Sequence, residues 1–257
     1  MSRIFKKIII AITAGVFLFS GFMVFDHYSE LKTGEKLSEE ISEMAVTERF
    51  DEEPAKTEEP IFEEEKETVI VPIEVDFELL FEQNKDIIGW IYCPDTPINY
   101  PIVQAADNEF YLRRLLDGSY NMAGTIFLDY RNSADFTDWN SIVYGHNLRN
   151  DLMFGTLPNY AEQEYFDEHP VIFLLTPEKN YRISILFGFT ASAGSGFYNE
   201  LHPTEEEKAE LIKNWRNVSD FVSKTELPSE YRLITLSTCS YDYSDARYVI
   251  IGLLEEI

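Results

Sequence analysis

Three side chains in this sequence could act together on a carbonyl carbon: the thiol of Cys239, the imidazole of His146 and the guanidinium of Arg247. Cys239 follows the apolar, β-branched segment LITLST, and Arg247 opens a second such segment, RYVIIGLL, with the polar insert SYDYSDA between them. Both segments have the length and composition of strands and the insert that of a loop. Neighbouring strands would set thiol and guanidinium facing each other across that loop. His146 closes NSIVYGHN, a further strand-like run in which Gly145 allows a tight turn that presents the ring. A thiol becomes a nucleophile beside a proton acceptor or a cation. Taken singly, an isolated cysteine packs in a core and a strand-end histidine is structural. The three together on strand ends shift the balance towards catalysis.

The remaining candidates are poorer. Cys93 lies beside Trp90 and Tyr92 in a strand-like context that suits a buried, inert thiol. An outside location would favour joining Cys93 to Cys239, and the sequence leaves that bridge open. His27 falls in a polar segment, while His169 and His202 each precede a proline and read as surface residues. No C-x-x-C or H-x-x-x-H pair and no Gly-rich phosphate loop occurs, so neither a metal nor a cofactor is expected.

The chain that must position these residues has 257 of them and a formal net charge of −25. After Arg3, Lys6 and Lys7, no residue from Ile8 to Phe25 is charged, a run that just spans a bilayer core as a helix. Basic residues before it predict a cytoplasmic amino terminus and an outside remainder. A cleaved signal peptide competes, although the run is longer than a usual signal core and lacks an A-x-A-like site. Residues 1–25 are thus expected to be a stub and membrane anchor. Residues 26–75, rich in Glu, read as a solvated tether holding the rest away from the membrane, with some helical spacing in its early part. Roughly half of the negative charge sits there, and no basic cluster beyond residue 7 suits nucleic acid.

Residues 76–257 carry the folded pattern. VDFELLFEQN is expected to be a short helix capped by Asp76, and IIGWIYCPDTPINYPIVQ two strands about a Pro-Asp turn. NEFYLRRLLDG is expected to be a helix ended by Gly118. GTIFLDYRN, NSIVYGHN, YRLITLST and ARYVIIGLL read as strands, and VIFLLTPEKNYRISILFGFTAS as a hairpin about residues 178–180. The longest helix is expected in PTEEEKAELIKNWRNVSDFVSKT, with a Thr204/Glu207 capping box and Leu211, Trp215 and Val222 inward. The fold class is therefore mainly β with peripheral helices, a closed or nearly closed barrel.

TLSTC followed eight residues later by Arg247, with YGHN far upstream and an amino-terminal anchor, resembles the sortases, cysteine transpeptidases of Gram-positive cell surfaces. IIGWIYCPDTPINYPIVQ, GTIFLDYRN and SIVYGHNLRNDLMFGTL are similar to class B in particular, as are the helical extension before the barrel and the long helix before the cysteine strand. The resemblance implies a closed sortase-type barrel, with Cys239 as nucleophile, His146 as proton donor and Arg247 as oxyanion or carbonyl donor. It also implies that Asn108, Leu112, Ser237 and Tyr198 line the groove for the acyl donor. The partners it implies are surface proteins with an N-P-x-T-like sorting signal, and an amine of a cell-wall precursor or a pilin as acceptor. Ser240 departs from members with an acidic residue after the cysteine. A papain-like order is excluded because its histidine would follow the cysteine. A thiol hydrolase on the same fold and a non-catalytic membrane-tethered surface domain remain as alternatives.

Overall fold

The computed structural model describes residues 3–49, 71–148, 150–195, 198, 203–239 and 245–257. Helix α1 (Arg3–Ala45) leads into β1 (Val46–Glu48), which pairs with β2 (Ile73–Val75); α2 (Phe77–Gln83) then precedes β3 (Ile87–Tyr92), β4 (Asn99–Val103), β5 (Phe127–Leu128) and β6 (Asn140–Tyr144). After α3 (Gln163–Glu168) come β7 (Val171–Leu175), β8 (Asn180–Ser192), α4 (Glu205–Val218), β9 (Leu233–Cys239) and β10 (Ala246–Glu256). Eight strands close into a barrel in the order β10-β8-β7-β3-β4-β5-β6-β9. The neighbours pair antiparallel except β4 with β5 and β6 with β9.

Strand β9 lies between β6 and β10, and its residues Leu233 to Thr238 are all buried. Ile234 and Leu236 join the inner core with Tyr248 and Ile250, while Leu233 joins Val249, Ile251 and Trp215 on the outer side. Burial on both faces explains why this strand reads as an almost unbroken apolar run. The capping expectations hold: Asp76 accepts from the Leu79 N–H, and Thr204 and Glu207 form the reciprocal box that opens α4. Trp215 of α4 stacks on Trp139 with ring centroids 6.0 Å apart, clamping the helix to the barrel.

Among the described residues after 75, α4 is the longest helix, with 14 residues, as expected. Two other expectations need correction. Val222 lies beyond the end of α4 and is 75% exposed, whereas Phe221 is the buried residue there. Segment 108–118 holds only a 3-10 turn at Tyr111–Arg113 and no helix. Its carbonyls are taken by distant partners: Thr125 N–H donates to Tyr111 O, Asn121 N–H to Arg113 O and the His146 ring meets Leu112 O. Such bonds compete directly with the i to i+4 ladder a helix needs. Gly118 still turns the chain, at φ +79°.

The amino-terminal segment also differs from a uniform tether. Helix α1 is continuous through residue 45 and packs on the barrel through Leu31, Leu37, Ile41 and Ala45. Asn121 donates to Glu30 O, and Asn99 donates to Ser42 Oγ. The first half of 26–75 is thus part of the domain surface, and its Glu-rich second half falls largely on 50–70, outside the described residues. Among the described residues, no helix is long and apolar enough to cross a membrane. The described apolar side chains in the amino-terminal part of α1, up to Phe25, among them Ile10, Phe17, Leu18 and Val24, are exposed.

Candidate active site

The barrel's pairing brings residues 146, 239 and 247 to one level. Cys239 ends β9 directly opposite Arg247 of β10. On the other flank Tyr144 pairs with Ser237 in parallel register, and the Gly145 N–H donates to Ser237 O at 3.1 Å, carrying the ladder one residue further. His146 therefore leaves β6 level with the end of β9. Residues about ninety positions apart in sequence become neighbours because β9 is the strand between β6 and β10. The side chains of Cys239 and His27, and all of Ser240 and His202, lie outside the described residues.

Gly145 is required at its place. A Cβ there would meet the Phe154 ring at 2.6 Å, and Phe154 is fully buried with its N–H donating to His146 O at 2.9 Å. Gly145→Ala is expected to cost about 1–3 kcal/mol of stability through overpacking and to lower activity by displacing the ring. Thermal melting alongside turnover checks both.

A cleft of about 430 Å³ opens at this end of the barrel, and its lining includes His146, Arg247, Asn108, Leu112, Ser237 and Tyr198. The four groove positions and two of the three reactive positions expected from the sequence thus share one cavity. His146 is half-buried, and its Nε2 lies 2.6 Å from Leu112 O. A carbonyl only accepts, so Nε2 carries hydrogen and Nδ1 remains to exchange a proton. Tyr198 and Ser237 share a hydrogen bond of 2.9 Å, and the Tyr198 ring stacks on Tyr144 at 6.3 Å. Asn108 is engaged at both ends of its amide: Nδ2 donates to Asp129 Oδ2 and Oδ1 accepts from the Tyr130 N–H. Arg247 lines the cleft and folds Nη1 onto the neighbouring Ala246 O at 3.0 Å.

Burial pushes the His146 imidazole below its ordinary value; the Leu112 carbonyl opposes this, and the charges of Arg113 and Arg247 add to it. A catalytic His146 is expected to set the acid limb of the kcat/KM profile, displaced below the ordinary imidazole range. Arg113→Gln removes one of these two positive neighbours without touching the cleft, so its acid limb is expected at higher pH than in the native protein. An unchanged limb would show that His146 does not set it.

Cys93 is a free, fully buried thiol whose Sγ lies 3.8 Å from both Tyr160 Oη and Val171 O. The bridge to Cys239 is therefore not formed, and burial raises the Cys93 thiol, making it inert. His169, expected at the surface, is half-buried with its ring centroid 4.5 Å from that of Tyr165.

Sequence reasoning missed Asp129, Arg131 and Tyr144, which bind the walls of the cleft together. The Asp129 carboxylate is fully buried and accepts from Arg131 Nε at 2.8 Å, Arg131 Nη2 at 2.7 Å, Asn108 and the Tyr144 hydroxyl. Nothing in GTIFLDYRN marks that carboxylate as buried. The Leu112 carbonyl was equally invisible, being a main-chain atom.

No family model matches the chain. Among curated proteins it is 31% identical over 252 residues to sortase B of Listeria monocytogenes, covering 96% of each. Among solved structures it is similar to a Staphylococcus aureus sortase B-substrate complex, at 26% identity and a TM-score of 0.66, covering 70% of this chain and 85% of that one. It is similar at 27% identity and a TM-score of 0.66 to a sortase B complexed with triglycine, covering 70% and 86%. With the relative from Listeria matched over 96% of both chains and the closed barrel shared with the solved enzymes, the chain belongs to the class B sortases, which are cysteine transpeptidases.

Proposed function

We propose that Cys239, His146 and Arg247 carry the transpeptidation, and that the acyl donor is the sorting signal of a surface protein, of N-P-x-T-like sequence. The observation that carries this reading is the register that sets Cys239 opposite Arg247 and level with His146 beside one cleft. The Cys239 thiol gives its proton to His146, and the thiolate attacks the carbonyl carbon of the signal's threonine. The oxyanion of the tetrahedral intermediate is met by the Arg247 guanidinium. The C–N bond then breaks, the leaving amine takes the proton from the imidazolium, and a thioester remains on Cys239. A second amine attacks that thioester, gives its proton back through His146, and forms a new amide while the thiol is restored. An amine of a cell-wall precursor or a pilin is the proposed acceptor. The substrate and the triglycine in the two similar structures support a peptide donor and an amine acceptor.

The amino-terminal half of α1 is the proposed membrane anchor, which would place the catalytic domain outside the cell. Supporting it are the basic Lys6 and Lys7 ahead of apolar residues that stay exposed. Glu30, whose carbonyl bonds to Asn121, follows Phe25 by little more than one helical turn, so the barrel would lie close to the bilayer and not at the end of a long spacer.

The test uses the full-length protein in detergent with a labelled N-P-x-T peptide, with and without triglycine. Amide product that depends on triglycine is expected. If only the free acid accumulates in its presence, the protein is a hydrolase on this fold; if no peptide of a signal screen is cleaved, the donor class is wrong. Fractionation of cells expressing the full chain is expected to recover it with membranes, and recovery in the soluble fraction would remove the anchor.

A further inference from the structure

The densest polar network on the cleft belongs to two residues with no part in the bond-making steps. Asp129 follows β5 with its carboxylate fully buried, and four side-chain bonds from three residues converge on it, from Arg131, Asn108 and Tyr144. The Arg131 N–H adds a fifth, at 3.0 Å to Oδ1. These donors come from the segment before the 3-10 turn, from the stretch after β5 and from β6, so one carboxylate joins three walls of the groove. Arg131 adds the fourth wall. Its Nη2 donates to Asp129 Oδ2 at 2.7 Å and to the main-chain oxygen of Tyr198 at 2.8 Å. Tyr198 in turn bonds Ser237, two residues before Cys239, and stacks on Tyr144. Burial alone would raise the Asp129 carboxyl, but the bonds from Arg131 and Asn108 hold it below its ordinary value, so the pair stays ionised.

We propose that Asp129 and Arg131 are positioning residues that hold Tyr198 against Ser237 and Tyr144, and so set affinity for the acyl-donor peptide while leaving the chemical step to others. This rests on reading the cleft as the donor groove. The fork geometry is what the role needs: one guanidinium reaches the carboxylate with two nitrogens and still bonds the Tyr198 carbonyl. An ammonium keeps the charge but cannot make all of these bonds at their observed positions. A substituted Arg131 would leave the carboxylate buried with fewer donors, and would remove the bond that ties the Tyr198 carbonyl to the Asp129 wall.

The experiment is a double-mutant cycle on full-length protein in detergent, measured as kcat and KM for the labelled N-P-x-T peptide, with melting temperatures for each variant. Arg131→Gln is expected to raise KM about tenfold, the loss of roughly one charged hydrogen bond, with kcat within about twofold. In a Tyr198→Ala background the same change is expected to do little, because the group it positions is gone. Arg131→Lys is expected to melt near the native temperature yet keep the raised KM. A merely structural role would instead lower the melting temperature at unchanged KM. An unchanged KM, equal effects in both backgrounds, or full rescue by lysine would each overturn the proposal. Should Arg131→Gln fail to fold, the lysine variant alone decides it by its KM. Amide exchange gives a readout independent of turnover: the peptide containing Tyr198 is expected to exchange faster in the Arg131 variants, with β9 and β10 unchanged. If native protein transfers nothing, the donor reading fails, and exchange still judges the positioning role, which equal exchange at Tyr198 would reject.

Discussion

Replacing Cys239 by alanine is expected to abolish acyl transfer, at least about 10⁴-fold, since no thioester can form and the remaining groups only bind and polarise the carbonyl. The barrel is expected to survive the change. Strand β9 is held on both sides by main-chain ladders to β6 and β10, and its apolar packing comes from Leu233, Ile234 and Leu236, further from the open end. Melting temperature and the far-ultraviolet circular dichroism should therefore match the native protein while the product is absent. Cys93→Ala supplies the contrast. Its thiol lies inside the core against Tyr160, so its loss should cost stability and leave the properly folded fraction fully active. If Cys239→Ala transfers and Cys93→Ala does not, the nucleophile has been assigned to the wrong sulfur.

Arg247→Lys should lose about 10²-fold or more in kcat/KM, the effect of removing an oriented donor from a developing oxyanion. Charge is conserved in this variant, so the loss isolates the planar fork. Arg247 gives Nη1 to the Ala246 carbonyl, and in the proposed role its other nitrogens meet the substrate; an ammonium on a flexible stem offers no such fixed division. Arg247 also depresses the His146 imidazole, an effect that lysine largely retains. The acid limb of the pH profile should accordingly stay near its native position while the plateau drops. A native plateau in Arg247→Lys would remove the guanidinium from the chemical step.

How much of this was legible depended on whether a signal was local. The β9 and β10 segments, the Asp76 and Thr204 caps and the hairpin between β7 and β8 follow from patterns within a few residues, and they appear where the sequence places them. The grouping of His146 with Cys239 and Arg247 came from strand ends, because a closed barrel gathers strand ends. Segment 108–118 has helical spacing, yet long-range bonds to its carbonyls override that propensity. Helix α1 was underestimated because its carboxy-terminal part is held by a surface, at Asn121, Asn99 and the barrel's apolar flank, that its own residues do not announce. The Asp129 network escaped for the same reason. Asp129 and Arg131 read as part of one strand in GTIFLDYRN, and nothing in that stretch shows that Asn108 and Tyr144, from two distant segments, close over the carboxylate.

The most direct test is to trap the intermediate. Full-length protein is mixed with the donor peptide in the absence of any amine, quenched in acid, and mapped by mass spectrometry after digestion. A hydroxylamine-labile acyl adduct on the fragment containing Cys239, with Cys93 unmodified, is the expected result. An adduct on Cys93, or native protein that cleaves the peptide without ever acylating sulfur, would contradict a thioester at the end of β9.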